Sequence, residues 1–257
     1  MNVTHGLDAK NYYPGVVKIL ISDQGVCTGS VVSNNTVITA AHCVYGFDAK
    51  HLKIVLDDGK EIQVKKAIAH PLYEEYMQKK DYGHADVYDL GVIVVDDNSF
   101  KSIPRYRVIR SYKPNVGDLV TMVGYGCRTT KKIDEEGYMY VDCVKASVKR
   151  YGKNWITEST SCRKEMLEVR ETDYKSDDDE NPFPIKGLLS STAEGDSGGP
   201  LLLGVDEIIG VASSSVTFED KKKIDKSDCF TNLAHPENIK FLREAKDKIG
   251  AFITYGL

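Results

Sequence analysis

Three stretches of the 257-residue sequence gather residue types able to do chemistry. The densest is Ser191-Thr192-Ala193-Glu194-Gly195-Asp196-Ser197-Gly198-Gly199-Pro200, with acids, hydroxyls and three glycines. Glycine serves where the backbone must turn sharply or approach another chain closely. A serine on such a turn can expose its Oγ while neighbouring N–H groups converge where an oxyanion would form. Taken alone, the G-x-S-x-G pattern equally fits a glycine-rich hairpin between strands. The second stretch, Val37-Ile38-Thr39-Ala40-Ala41-His42-Cys43, runs from apolar to small residues and ends on a histidine beside a cysteine. The third, Asp89-Leu90-Gly91-Val92-Ile93-Val94-Val95, sets an aspartate before a β-branched run that reads as a buried strand. A serine hydroxyl is a poor nucleophile until a base takes its proton, and the base needs a carboxylate to fix its tautomer. His42, Asp89 and Ser197 supply that set in chain order; Asp81 and Asp86 lie near Asp89, and Asp86 is the reserve acid.

T-A-A-H-C, D-L-G-V-I-V and G-D-S-G-G-P resemble the three signatures of the trypsin/chymotrypsin-like serine proteases. The resemblance extends over nearly the whole chain. Val3-Thr4-His5-Gly6-Leu7-Asp8-Ala9 resembles the family's activation terminus, His70-Pro71-Leu72-Tyr73 its H-P-x-Y element and Gly124-Tyr125-Gly126 its G-W-G element. It implies an all-β fold of two antiparallel six-stranded Greek-key β-barrels with a C-terminal helix. Residues 3–105 would form the barrel carrying His42 and Asp89. Residues 106–234 would form the barrel carrying Ser197 and the specificity pocket, and 235–257 the helix and tail. The roles implied are Ser197 as nucleophile, His42 as base and Asp89 as its orienting acid, with the N–H groups of Gly195 and Ser197 as oxyanion hole. No cofactor and no metal are expected. A freed Val3 would pair with Asp196, and because Met1 and Asn2 precede Val3 the chain as given is expected to be zymogen-like.

The pocket departs from the family pattern. Ser191, six positions before Ser197, aligns with the pocket base and offers no charge. Asp228 aligns with the far wall, where relatives commonly have glycine. A carboxylate there can pair with lysine or arginine, and a buried unpaired one is costly, so cleavage after basic residues is expected. The alternative is that Asp228 faces solvent and leaves a neutral pocket for large apolar side chains. The S-W-G wall reads Ser213-Ser214-Ser215, without its bulky residue; its Ser213–Ser215 edge would pair with substrate backbone. Ala193 stands where relatives have a cysteine bracing the nucleophile loop.

Six cysteines leave the disulfide connectivity open. Cys27 and Cys43 match the family bridge that pins the histidine loop. Cys127 and Cys143 are paired across a hairpin, and Cys162 with Cys229, tying a long loop to the pocket wall. Disulfides indicate an oxidising compartment, so secreted, extracellular or periplasmic placement is expected. No C-x-x-C or H-E-x-x-H spacing suggests a metal.

These residues must be positioned by strands. Short β-rich runs at 16–21, 30–38, 52–56 and 61–66, then 119–124, 138–148, 201–203 and 208–212, suggest barrels. Residues 70–88 read as a polar loop and 96–116, with Pro104 and Pro114, as a linker. Pro236 opens a helical pattern with Ile239, Leu242, Ala245 and Ile249 apolar. The charged stretch 163–181, with Asp177-Asp178-Asp179-Glu180, reads as a solvated loop or, more sharply, an exosite or gate over the cleft.

At 41% hydrophobic residues the chain can bury a sizeable core. Its net charge of -4 gives no argument for nucleic acid. No apolar run is long enough to span a membrane, and residues 1–30 lack a secretory pattern, so a targeting segment is read as left out before Met1. The expected partners are a polypeptide substrate, protein inhibitors and an activating protease, with the protein itself a monomer. An α/β-hydrolase carries serine, acid and histidine in another order; here only His235 follows Ser197. The rival from another class is a protease-fold protein that binds without cleaving. Asn2-Val3-Thr4 and Asn34-Asn35-Thr36 are glycosylation acceptors in a eukaryotic source.

Overall fold

The computed structural model describes residues 6–9, 12–22, 25–108, 114–126, 128–133, 139–144, 148–172, 190–220 and 223–256. Val3, Cys127 and the acidic run 177–180 lie outside them, and with them the activation terminus, the Cys127–Cys143 pairing and the gate. The first strand, β1 (Leu7–Asp8), is followed by β2 (Val16–Ile21), β3 (Gly25–Val31), β4 (Thr36–Thr39), β5 (Leu52–Val55), β6 (Glu61–Gln63), β7 (Lys66–Ala69) and β8 (Gly91–Val94). Strands β2 to β8 form one antiparallel sheet in the order β6-β5-β2-β3-β4-β8-β7, curled as a half-barrel. Strands β4 and β8 are buried along their whole length; β8 accordingly reads as a continuous apolar run, while β4 sets Val37 and Ile38 between two buried threonines.

The second half contains β9 (Arg107–Val108), β10 (Leu119–Gly124), the hairpin of β11 (Arg128–Ile133) and β12 (Met139–Val144), β13 (Arg150–Thr157), β14 (Leu167–Thr172), β15 (Pro200–Leu203), β16 (Glu207–Asp220) and β17 (Lys223–Asn232). Its strands run β13-β10-β15-β16-β17-β14, and β14 pairs back onto β13, closing a six-stranded antiparallel barrel. Closure leaves no open edge along that circuit. Val120, Met122, Leu167, Val169, Leu201, Ile209 and Phe230 fill it.

The polar stretch 70–88, expected as a loop, folds into two short helices, α1 (Pro71–Gln78) and α2 (Tyr82–Val87). Both are started by caps rather than by hydrophobic periodicity. Pro71 stands in the first turn and His70 Nδ1 accepts the Leu72 N–H at 3.1 Å; the Asp81 carboxylate accepts the His84 N–H. The terminal helix, α3 (Pro236–Ile249), forms as expected and stops at Gly250, which adopts φ 78°. Its buried face is Asn238, Phe241, Leu242, Ala245 and Ile249, with Ile239 only partly covered. Asn238 takes the inward place because its Nδ2 donates to the Val87 and Asn232 carbonyls. Although it follows the second barrel in sequence, α3 packs its apolar face into the core of the first sheet.

His70 therefore serves architecture. It is 2% exposed, its Nε2–H donates to the Glu237 carbonyl at 3.3 Å and its ring lies 4.7 Å from Phe241. Burial lowers its pKa from 6.5 to about 4. Between those values the unfolded chain binds more protons than the folded one. The contribution is thus whole above pH 6.5 and lost as pH falls toward 4; it amounts to about 3 kcal/mol. In urea titrations at both pH values, His70→Asn, which keeps a capping oxygen, is expected to lose most of this acid-dependent step.

Candidate active site

The register of β4 on β8 brings the histidine and the aspartate together. Thr39 pairs with Gly91, so the turn Ala41–Cys43 after β4 and the residues entering β8 share one rim. A Cβ at Gly91 would lie 2.8 Å from the Ala40 carbonyl oxygen, so glycine permits this close approach. Asp89 is 1% exposed. Its Oδ1 accepts the His42 backbone N–H at 2.9 Å, and its Oδ2 accepts Nδ1–H of His42 at 2.7 Å and the Ser213 hydroxyl at 2.7 Å. Burial disfavours charge on His42, but the Asp89 carboxylate outweighs it and holds the imidazole above its ordinary pKa of 6.5. Burial likewise opposes the Asp89 carboxylate, yet His42 and Ser213 hold it below its usual range. With Nδ1–H given to Asp89, the lone pair of the neutral ring sits on Nε2. The reserve acid goes elsewhere: Asp86 Oδ2 accepts the Ser214 hydroxyl at 2.7 Å, and burial pushes its carboxyl up.

The loop carrying Ser197 is pinned by backbone bonds. Ser197 is the partly exposed residue of the otherwise buried run 195–200. Its carbonyl accepts the Thr28 N–H at 2.8 Å, and the Gly198 N–H donates to the Ala212 carbonyl at 2.8 Å. The Asp196 carbonyl accepts the Gly199 N–H at 2.8 Å. In a planar trans peptide the Ser197 N–H points the opposite way from that carbonyl, out of the turn. Gly195 and Gly198 adopt φ 95° and 81°, and a Cβ on Gly198 would fall 2.0 Å from Thr39 Oγ1 and 2.3 Å from the Thr28 carbonyl oxygen. The motif's glycines are therefore demanded by the fold.

Asp196, 1% exposed, accepts the Gly126 N–H at 2.7 Å on Oδ1 and the Ala193 N–H at 2.9 Å on Oδ2. Cβ atoms at Gly124 and Gly126 would lie 2.0 and 2.4 Å from this carboxylate, which explains both glycines of the G-Y-G element. Between them Tyr125 donates its hydroxyl to Asp57 at 2.6 Å, and the buried Lys149 ammonium meets the other oxygen of Asp57 at 2.6 Å.

The residues expected from sequence to line a specificity pocket lie together as well. Ser191 and Asp228 are buried, and Ser215 pairs with Asp228 across β16 and β17. Asp228 Oδ2 accepts the Thr192 N–H at 2.8 Å and Oδ1 accepts the Thr192 hydroxyl at 2.8 Å. Lys226 Nζ lies 3.3 Å from Oδ1 and also donates to the Thr192 carbonyl. Burial pushes the Asp228 carboxyl up, while Lys226, then Ser191 and Thr192, pull it back. Asp228 is buried, so the alternative in which it faces solvent does not hold, but it is not unpaired either, because a residue two positions along the strand supplies its counter-ion.

Two of the expected disulfides are present, Cys27–Cys43 and Cys162–Cys229. The Cys27 and Cys43 sulfurs and a His42 ring nitrogen lie within 4.8 Å of one another, but both sulfurs are committed to the disulfide, so this cluster is no metal site.

A family model described as Trypsin matches residues 5–235. The chain belongs to the trypsin family. Among curated relatives, Trypsin theta of Drosophila melanogaster is 27% identical over 195 residues, which is 73% of this chain and 65% of the relative, just under two thirds of its length. Among solved structures, human heparin binding protein is 16% identical with a TM-score of 0.63, covering 98% of both chains. The scabies mite inactivated protease paralogue S-I1 is 17% identical with a TM-score of 0.61, covering 94% of this chain and 98% of that one. At such identities these two show the fold alone.

Within this trypsin-family frame, sequence reasoning missed Thr28. Its Oγ1 donates to the Gly195 carbonyl at 2.8 Å and accepts the Tyr125 N–H at 3.0 Å, so with its N–H on Ser197 it clasps the nucleophile loop to the first sheet. Only its place beside Cys27 hinted at this. The Ser213–Ser214 pair also acquires a reason. A register shift between Ala212 and Ser214 lets adjacent serines reach Asp89 and Asp86, where a regular strand would send them to opposite faces.

Proposed function

We propose that this trypsin-family protein is a serine endopeptidase that cleaves polypeptides through an acyl-enzyme. The carrying observation is the clamp of buried Asp89 on His42 at both its backbone N–H and Nδ1–H. Ser197 Oγ attacks the peptide carbonyl carbon while its proton passes to His42 Nε2. The oxyanion is held by the N–H groups of Gly195 and Ser197. The C–N bond breaks as His42 returns the proton to the departing amine, leaving an ester on Ser197. Water, deprotonated by His42, attacks that ester; the acid product leaves and Ser197 regains its proton. Substrate backbone lies along Ser213–Ser215, and a basic side chain is drawn toward Asp228 once Lys226 releases it.

On this reading residues 3–105 and 106–234 are the two halves of the catalytic unit, capped by 235–257. The protein acts as a secreted or otherwise extracellular monomer, the setting its disulfides favour. No described helix is long and apolar enough to cross a membrane. Exposure of Val3 by another protease activates the enzyme through Asp196, and protein inhibitors compete for the cleft.

A fluorophosphonate probe tests the reading. It should attach covalently to Ser197, located by peptide mapping, require His42, and label faster once Met1 and Asn2 are removed to expose Val3. Equal labelling rates before and after would overturn the activation step. No labelling in either form would overturn the endopeptidase and favour a protein that binds without cleaving.

A further inference from the structure

Lys226 and Asp228, two positions apart on β17, share one face of the strand, and both turn toward Thr192. Asp228 is 1% exposed and the Lys226 side chain 20% exposed. The ammonium bridges the Asp228 carboxylate and the Thr192 carbonyl, so it satisfies two acceptors that an incoming cationic side chain would seek. Carboxylate, threonine N–H, hydroxyl and carbonyl together form a closed polar set, with the positive charge supplied from within the chain.

We propose that Lys226 is a specificity-determining residue that occupies the primary pocket's anionic site as an internal stand-in for a basic substrate side chain. This rests on the endopeptidase reading for its meaning in catalysis, though not for its meaning in binding. A free carboxylate at Asp228 would select lysine or arginine strongly. Paired with Lys226 it presents a neutral site, so basic and large neutral side chains compete on nearly equal terms. A basic substrate must displace the lysine, which can swing outward because one fifth of its side chain already meets solvent. Sequence offered half of this, the carboxylate; the lysine lay in plain view at position 226 but nothing in its spacing said which way it turned.

The test uses an aryl amidinium, p-aminobenzamidine, whose fluorescence reports binding without any catalysis. It is titrated into the full chain, wild type and Lys226→Met, with Ser197→Ala as a background in which no turnover occurs. Freeing a charged acceptor is expected to tighten amidinium binding by about tenfold to a hundredfold. The double variant Lys226→Met/Asp228→Asn should lose that gain. Lys226→Gln, which keeps length and a donor for the Thr192 carbonyl but no charge, serves if the methionine variant fails to fold and should show the same direction. On peptide substrates the ratio of kcat/KM for lysine or arginine over leucine should rise by a similar factor. Amidinium binding that is unchanged or weaker in both variants would make the ion pair purely architectural and overturn the inference. Tighter amidinium binding without any peptide cleavage would uphold it while overturning the endopeptidase reading.

Discussion

Replacing Ser197 with alanine is expected to lower kcat for peptide cleavage by about 10⁶-fold, the size known for loss of the nucleophile in such triads. The substitution removes one oxygen and little else. The loop around it is held by the Thr28 N–H on the Ser197 carbonyl, by Gly198 N–H on Ala212 and by Gly199 N–H on Asp196, none of which involves the serine side chain. The melting temperature should therefore stay near that of the wild type while activity disappears. His42→Ala should cost a comparable factor, and the double variant scarcely more, because the two act as one unit. Activity within a hundredfold of wild type in Ser197→Ala, on the chain with Val3 exposed, would remove Ser197 from the role of nucleophile.

Asp89→Asn is expected to lower kcat by about 10⁴-fold, the magnitude established for this change in serine protease triads. An asparagine can turn its oxygen to accept from only part of the present donor set. Asp89 now takes the His42 backbone N–H, Nδ1–H and the Ser213 hydroxyl on two oxygens, and the amide nitrogen of asparagine must face one of them. If it faces Nδ1, the ring is driven to the tautomer with its proton on Nε2, where it cannot act as base. The pH profile provides a second readout. The base must be neutral, and His42 is held above 6.5 in the wild type, so kcat/KM should rise with pH through a value above 6.5. In Asp89→Asn the attraction that raised it is gone and burial, which lowers it, dominates; the acid limb should move to lower pH. An unmoved limb would mean that Asp89 does not set the charge of His42.

The halves of this architecture differ in how far they were visible before folding. Strand β8 was legible because residues buried on both faces leave an uninterrupted apolar run, β4 because its residues are all β-branched, and α3 because Pro236 and Gly250 bracket an amphipathic pattern. Helices α1 and α2 were not, since each is only a turn or two long and is set by a cap rather than by a repeated apolar face. Nor could periodicity in α3 say that its apolar stripe would settle on the first sheet rather than on the barrel preceding it.

For the site, sequence alone determined which residue types stand ready: a histidine, an acid and a serine in that order, each with glycine or small residues beside it. The left-handed φ at Gly195 and Gly198 is a local demand, whereas the room Gly124 and Gly126 leave for the distant Asp196 carboxylate is a tertiary one. Sequence favoured Asp89 with Asp86 in reserve; tertiary structure set the Asp89 carboxylate against the His42 ring, through the pairing of Thr39 with Gly91, and sent Asp86 to Ser214. It also made Thr28 a clasp on the nucleophile loop and turned Lys226 onto Asp228. Spacing along a chain encodes which side chains share a face, whereas the partner across a sheet depends on strand register, and register is set only when distant strands meet.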